Sequence, residues 1–393
     1  MNIKASNVGW CQQTRYIIFG QLIIIAMLDM SDPYWPLIIA SCHTFHPKIL
    51  QYWSGAIYMA PMLTTIFTTL IWTKIGDYVG FKKMILRSGV ALAATQWALI
   101  FFKNPWEILL IRLLQGALAG FTAAAQAWSL KITPTQTHSR IVGRLQSATA
   151  IGSIVGPVCG GFLANYYGYL SIFIIAGIVC MLISIFLAFF LVESPINKEK
   201  VKSKIKHVKK ICPRQNALLL LICFTQAARW MSTPFFSLYV VKKLHSGNLT
   251  VGIIYALMAL AMSLTTPNLG RILDRRDYLL WSKTILVIAL LISGLVYVGY
   301  AFITKASLAF ILSLFLGVSF GAITLILFTL LLKGINDDRR SQLVGLGNTL
   351  LKLGNLLGIL IGSIIQAESN FLISFVVIGT FYFFLAGLSL RYA

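Results

Sequence analysis

Twelve long apolar stretches limit this chain to one kind of architecture. A hydrocarbon core of roughly 30 Å is crossed by about 20 residues of helix. Stretches of that size fall near 16–40, 52–73, 84–102, 106–130, 141–165 and 169–191, and again near 216–240, 250–269, 279–302, 306–332, 342–366 and 370–390. Inside a bilayer every backbone polar group must find its partner within the protein, so repeated apolar stretches of this length are expected to be helices. Only 11% of the residues are charged, less than half of what a water-soluble surface needs. The first stretch is too long for the apolar core of a cleaved leader, and no small-x-small cleavage site follows it.

The order is six stretches, a polar interval and six more. The interval carries Lys-Glu-Lys-Val-Lys-Ser-Lys-Ile-Lys-His-Val-Lys-Lys (198–210), and reads as a solvated linker or an amphipathic helix lying on an anionic leaflet. The expected organisation is therefore a first bundle over 1–192, a linker over 193–214 and a second bundle over 215–393. A net charge of +22 could suggest nucleic acid, but in a membrane protein lysine and arginine report topology. With both termini inside, 25 of the 33 basic residues lie on the cytoplasmic side, five outside and three within spans. The expected location is thus a cell membrane, crossed many times, with both termini cytoplasmic.

Two loops repeat at half the chain's length. Asp77, in Gly76-Asp77-Tyr78-Val79-Gly80-Phe81-Lys82-Lys83, and Asp274, in Gly270-Arg271-Ile272-Leu273-Asp274-Arg275-Arg276-Asp277, are 197 positions apart. Each precedes basic residues at the start of an odd-numbered span. There an aspartate would cap free N–H groups, and Asp77, Gly80, Lys82, Asp274 and Arg275 would form a latch that opens and closes. The plain alternative is an ordinary positive-inside loop, but two copies at half-chain spacing favour a duplicated fold.

Here the chain resembles the major facilitator superfamily, whose signature loop reads Gly-x-Leu-x-Asp-Arg-x-Gly-Arg-Lys. The first copy keeps Ile75, Asp77, Gly80 and Lys82, with Thr73, Tyr78 and Phe81 at other signature places; the second keeps Gly270, Ile272, Asp274 and Arg275, with Asp277 in place of glycine. Arg112-Leu-Leu-Gln115-Gly116-Ala-Leu-Ala-Gly120 is similar to the signature that carries an arginine within the membrane. Gly152-Ser-Ile-Val-Gly156-Pro157-Val-Cys-Gly160-Gly161 is similar to the glycine-proline motif of the antiporters. In that run glycines allow close helix approach and Pro157 permits a bend. The resemblance, closest to the drug:proton antiporter branch, implies an all-α integral membrane fold. It also implies twelve transmembrane helices in two pseudo-symmetric bundles around a central cavity, alternating access, and a monomer in a bacterial inner membrane.

Five ionisable residues fall well inside spans, away from their ends: Asp29, Asp32, Arg112, Arg229 and Lys352. Such groups are costly in lipid and mark functional sites. At 1.5 Å per residue Asp29 lies about 21 Å into span one, and Arg229, Lys352 and Arg112 reach comparable depths. Spans one, four, seven and eleven are therefore expected to meet around one polar site. Pro33 and Pro36 should break the helix beside the two carboxylates. Burial and each other's charge favour the neutral acid at Asp29 or Asp32, whereas Arg112 favours the anion, so access to each side could switch a proton. A permanent Asp–Arg pair holding spans one and four together is the alternative.

Within the spans cations exceed carboxylates by one, which favours an anionic or zwitterionic small molecule such as a carboxylate siderophore over a cationic drug. Trp35, Gln115, Gln126, Gln226 and Trp230 would complete its pocket, with Trp128 and Phe235 on the same helices. The candidate substrate set is thus Arg112, Arg229 and Lys352 with these five. Energy would come from the proton gradient, with no cofactor. His43 and His46 lack a third metal ligand, so no metal is expected, and six scattered cysteines read as small buried apolar groups. Asn248-Leu-Thr250 matches a glycosylation sequon that chance often produces. No phosphate loop, zinc motif or nucleophile–base set is present, so partners reduce to a small-molecule substrate and membrane lipid, without nucleic acid. Broad drug export, uptake of the same anions, and an integral membrane enzyme are the competing readings. The last is disfavoured because all five histidines fall in predicted loops while the charges gather at midplane depth.

Overall fold

A computed structural model describes residues 7–42, 45–193, 212–273, 281–333 and 337–392. They form fifteen α-helices: α1 Asn7–Ser31, α2 Trp35–Cys42, α3 Pro47–Val79, α4 Phe81–Phe101, α5 Pro105–Leu118, α6 Phe121–Ile132, α7 His138–Tyr166, α8 Tyr169–Phe190, α9 Pro213–Trp230, α10 Phe236–Lys242, α11 Asn248–Leu273, α12 Ser282–Phe302, α13 Ala306–Leu332, α14 Asp337–Glu368 and α15 Phe371–Tyr392. Among the described residues ten helical stretches are long and apolar enough to cross a membrane. The expected spans at 52–73 and 216–240 fall on α3 and on α9 with α10. His43, Asp274, Arg275 and nearly all of the basic linker lie outside the described residues.

The chain packs as two compact units, one of Met1–Asp32 with Ala60–Lys206, the other of Pro33–Met59 with His207–Ala393. Residues 33–59 therefore group with the second unit, not with their neighbours in sequence. Their attachments there are explicit. Lys48 Nζ sits 2.6 Å from Glu368 Oε2, the Tyr52 hydroxyl donates to Glu368 Oε1 at 3.2 Å, and Tyr34 donates to the Asn248 carbonyl at 3.3 Å.

Within the first unit α1 packs on α7 and α4 on α8; within the second α9 packs on α14, α11 on α13 and α12 on α15. In each unit one of these pairs is brought close by glycines at every fourth position. A Cβ added to Gly152, Gly156 or Gly160 of α7 would collide with the carbonyls of Leu22, Ala26 or Met30 on α1. A Cβ at Gly354, Gly358 or Gly362 of α14 would collide with those of Cys223 and Ala227 on α9 or of Met231, which caps it. Backbone-to-backbone packing of this kind replaces the hydrophobic drive that helices lack in lipid. The same contact in each unit, about half a chain apart, is the physical counterpart of the duplication.

Three expectations are corrected. Span four is not continuous: α5 ends at Leu118, and Ala119 and Gly120 are non-helical, Gly120 with φ +130°. The freed carbonyls are claimed by side chains of the neighbouring helices. Thr65 and Thr68 donate to Gly116 O at 3.1 and 3.3 Å, Trp72 Nε1 to Ala117 O at 2.7 Å, and Arg87 Nη2 to Ala119 O at 3.3 Å. Second, Asp77 does not cap α4. Helix α3 runs past it to Val79, Gly80 turns the chain at φ +101°, and the Glu193 carboxylate accepts the Lys82 N–H at 3.2 Å instead. Third, Cys159 and Cys212 are exposed, whereas Cys180 and Cys223 are buried.

Candidate substrate and proton site

In the first unit the residues chosen for their charge lie together. Helix α1 stops at Ser31, and Asp32–Tyr34 form a single 3₁₀ turn ahead of α2, where Pro33 and Pro36 cannot supply helical N–H groups. Three residues apart, the two carboxylates meet different helices. Ser153 of α7 donates its hydroxyl to Asp29 Oδ2, and Asp32 Oδ1 lies 3.9 Å from Arg112 Nη2 on α5. Arg112 is buried and gives its short bond, 2.7 Å, to Gln115 Oε1 one turn along. Gln115 Nε2 is buried and has no hydrogen-bond partner among the described residues. Arg112 is thus braced by a neutral amide, while its carboxylate sits at the loose end of ion-pair range with its side chain 41% exposed. Gln126 is half-buried.

In the second unit the candidate residues are cations, amides and aromatic groups. Arg229, at the end of α9, is half-buried. Its Nη2 points at Met262 Sδ at 3.5 Å, and its guanidinium lies 5.0 Å from the Phe320 ring centroid. Among the described residues neither Arg229 nor Lys352 has a carboxylate within 4.0 Å. Lys352 is exposed on α14, Gln226 is buried and donates to Thr324 Oγ1 at 3.3 Å, Trp230 is half-buried, and Trp35 is buried. Tyr297 donates to the Arg229 carbonyl at 3.4 Å and stacks on Tyr382 with ring centroids 5.6 Å apart. The Tyr382 hydroxyl is buried without a hydrogen-bond partner among the described residues. Trp128 and Phe235 are fully buried packing groups, and Trp128 ties α6 to the Val192 carbonyl at 3.0 Å.

The latch residues of the first unit have partners that the loop pattern did not name. Asp77 pairs with Lys131, at the end of α6, at 3.1 Å, and the Lys131 ammonium lies 4.4 Å from the Phe81 ring centroid. The Glu193 carboxylate lies where a Cβ at Gly80 would fall, and the positive φ of Gly80 already disfavours a side chain there. Ser153, Lys131 and Glu193 were legible only as ordinary polar residues, and only the position of Ser153, inside the glycine run, hinted at a role. Among the described residues no three histidine, cysteine, aspartate or glutamate side chains are placed to hold a metal.

A polytopic helical protein built from two units, each with the same glycine-packed helix pairing and each with charge on its spanning helices, is the architecture of a membrane carrier. The profile described as Major Facilitator Superfamily matches residues 17–359. The chain therefore belongs to the major facilitator superfamily, a family of transporters, not enzymes. It is 26% identical over 385 residues to the staphyloferrin B transporter of Staphylococcus aureus, covering 94% of this chain and 90% of that one. It is 27% identical over 389 residues to the multidrug resistance protein MdtG of Klebsiella pneumoniae, covering 96% and 92%. Among solved structures it is similar to an auto-inhibited POT family peptide transporter (TM-score 0.76, 11% identity, 97% of each chain). It is also similar to the human organic anion transporter MFSD10 (TM-score 0.67, 13% identity, 97% and 99%).

Proposed function

We propose that this protein is a proton-coupled secondary transporter that works by alternating access and exports a small anionic or zwitterionic organic molecule, a carboxylate siderophore being the leading candidate. The observation that carries the substrate class is the charge at Arg229. A half-buried guanidinium set against a thioether and an aromatic ring has, among the described residues, no carboxylate beside it to supply the counter-charge such a group normally takes. A carboxylate-rich ligand would supply it. The hydroxyl at Tyr382 in the same unit, buried without a hydrogen-bond partner among the described residues, offers a hydrogen bond to such a ligand, and exposed Lys352 a second positive contact. A staphyloferrin transporter among the relatives is consistent with that class. The relatives named for multidrug resistance favour broad drug export as the second reading.

Proton coupling is assigned to Asp29 and Asp32 with Arg112. A carboxylate held loosely by an arginine that has its own amide partner can release that arginine when it takes a proton, without leaving a bare cation behind. The surrounding frame is read as a monomer in a bacterial inner membrane with both termini and the linker over 193–214 cytoplasmic. Counterflow in proteoliposomes tests the substrate class, using citrate as the anionic probe and ethidium as the cationic one. Arg229→Gln and Lys352→Gln are expected to slow citrate exchange at least about tenfold, the loss of one charged contact, and to leave ethidium exchange within about twofold. Equal losses for both probes would overturn the anionic assignment.

A further inference from the structure

Within the first unit a cavity of about 630 Å³ opens between the start of α1 and the start of α7. Its rim carries three arginines, Arg15 on α1 and Arg140 and Arg144 on α7, and none of the described residues that line it is acidic. Its floor is apolar, made by Ile18, Phe19 and Leu22 on α1. These positions are not arbitrary. Arg15, Phe19 and Leu22 are spaced i, i+4, i+7, so one face of α1 turns from charge to hydrocarbon over two turns. On α7 Arg140 and Arg144 are one turn apart. The face continues through Ile151, Val155 and Phe162, which are 47%, 41% and 48% exposed. At 1.5 Å per residue Arg144 to Phe162 spans about 27 Å, most of a bilayer core. None of this belongs to the site of Asp29, Asp32, Arg112 and Ser153, whose members on α1 and α7 lie further along those helices.

We propose that this cavity is a binding site for an anionic phospholipid. The three guanidiniums take the phosphodiester of the headgroup, and an acyl chain lies over Phe19 and Leu22 and along the exposed stripe of α7. Guanidinium donors suit phosphate oxygens in bidentate pairs. Basic pockets between helices at the inner leaflet are the places where anionic headgroups are held. A soluble anion would satisfy the arginines but leave the apolar floor and stripe uncovered, which is why the occupant is a lipid. Because α1 and α7 are also the pair locked by Gly152, Gly156 and Gly160, the lipid would brace the two helices that carry Asp29 and Ser153. The proposal rests on membrane embedding and not on the substrate reading.

Native mass spectrometry of the full chain in detergent tests it, with dioleoylphosphatidylglycerol or dioleoylphosphatidylcholine added. The wild type is expected to retain one phosphatidylglycerol in preference to phosphatidylcholine. Each Arg→Gln change at Arg15, Arg140 and Arg144 should weaken that retention about fivefold, the value of one basic contact at a charged membrane surface. Arg144→Lys, which keeps the charge, should preserve most of it. Glycerol 3-phosphate, the free headgroup, should not displace the lipid. Equal retention of the two lipids by the wild type overturns the proposal without reliance on any variant. So does undiminished retention by the triple Arg→Gln variant, and displacement by glycerol 3-phosphate would make it a soluble-anion site instead.

Discussion

Asp29 and Asp32 stand three positions apart, a spacing that on a continuous helix would give them one shared face. The helix ends between them, and each finds a partner on a different helix, Ser153 on α7 for one and Arg112 on α5 for the other. The sequence supplied both halves of that outcome, the charges and the two prolines, but not Ser153, because a serine in an apolar helix most often bonds its own backbone. Ser153→Ala removes a hydrogen bond to a carboxylate. It should lower stability by about 1.5–3 kcal/mol if that carboxylate is charged, measured as a fall in unfolding temperature in detergent. A loss of only about 0.5–1 kcal/mol on Ser153→Ala, the value of a neutral hydrogen bond, would mean that Asp29 is neutral in the resting protein. Trp128 belongs at this scale too. Fully buried and bonded to the Val192 carbonyl, it should behave as core, so Trp128→Ala should cost about 3–5 kcal/mol of stability. Its effect on citrate and ethidium counterflow should be the same for both, unlike that of Arg229→Gln.

At the scale of elements, the glycine rows explain why the two units repeat. The row on α7 was legible as a motif. The matching row on α14, Gly354, Gly358 and Gly362, was passed over because GxxxG alone is a weak signal and no proline marks it. Only the contact of each row with a row of carbonyls shows that both do the same work. Gly156→Ala and Gly358→Ala should each cost about 1–3 kcal/mol by forcing the helices apart, and should do so to a similar extent because the contacts are equivalent. If Gly358→Ala is neutral, the second row is not a packing seam. The break in span four was missed for a related reason. Its apolar run is uninterrupted, and what ends α5 is the supply of outside donors, Thr65, Thr68, Trp72 and Arg87, for its freed carbonyls. Those donors come from neighbouring helices, so local sequence does not show them. The Lys48–Glu368 pair, which ties the start of α3 to the end of α14, makes a prediction about pH. Its hydrogen bond, and then the charge of Glu368, hold the Lys48 ammonium above its ordinary 10.5. The pair's contribution is thus complete below that value and is lost only as pH rises through the raised one. A transport pH profile between about 6 and 9, where histidines and perturbed acids titrate, should therefore be unchanged by Lys48→Gln in shape, though not necessarily in height.

For the molecule as a whole, hydropathy was enough for a helical chain that crosses the membrane many times, ten of its stretches being long and apolar enough among the described residues. The half-chain spacing of Asp77 and Asp274 pointed to a duplication that the two glycine rows match. Both are properties of the chain's periodicity and not of its contacts. Family membership then followed from the match over residues 17–359. What periodicity cannot carry is which charges have partners, and that decides the proposed chemistry: Arg112 braced by Gln115, Arg229 facing sulfur and an aromatic ring. Coupling of that chemistry to the proton gradient is the central claim, and transport of a carboxylate siderophore or citrate into or out of proteoliposomes under an imposed pH gradient tests it most directly. The wild type should drive net movement with the gradient and stop when a protonophore collapses it. Asp32→Asn should abolish the gradient-driven component while leaving gradient-free counterflow within about threefold, since uncoupling removes the driving force and not the binding site. Equal net transport with and without the gradient, or full gradient-driven transport by a variant carrying both Asp29→Asn and Asp32→Asn, would contradict it.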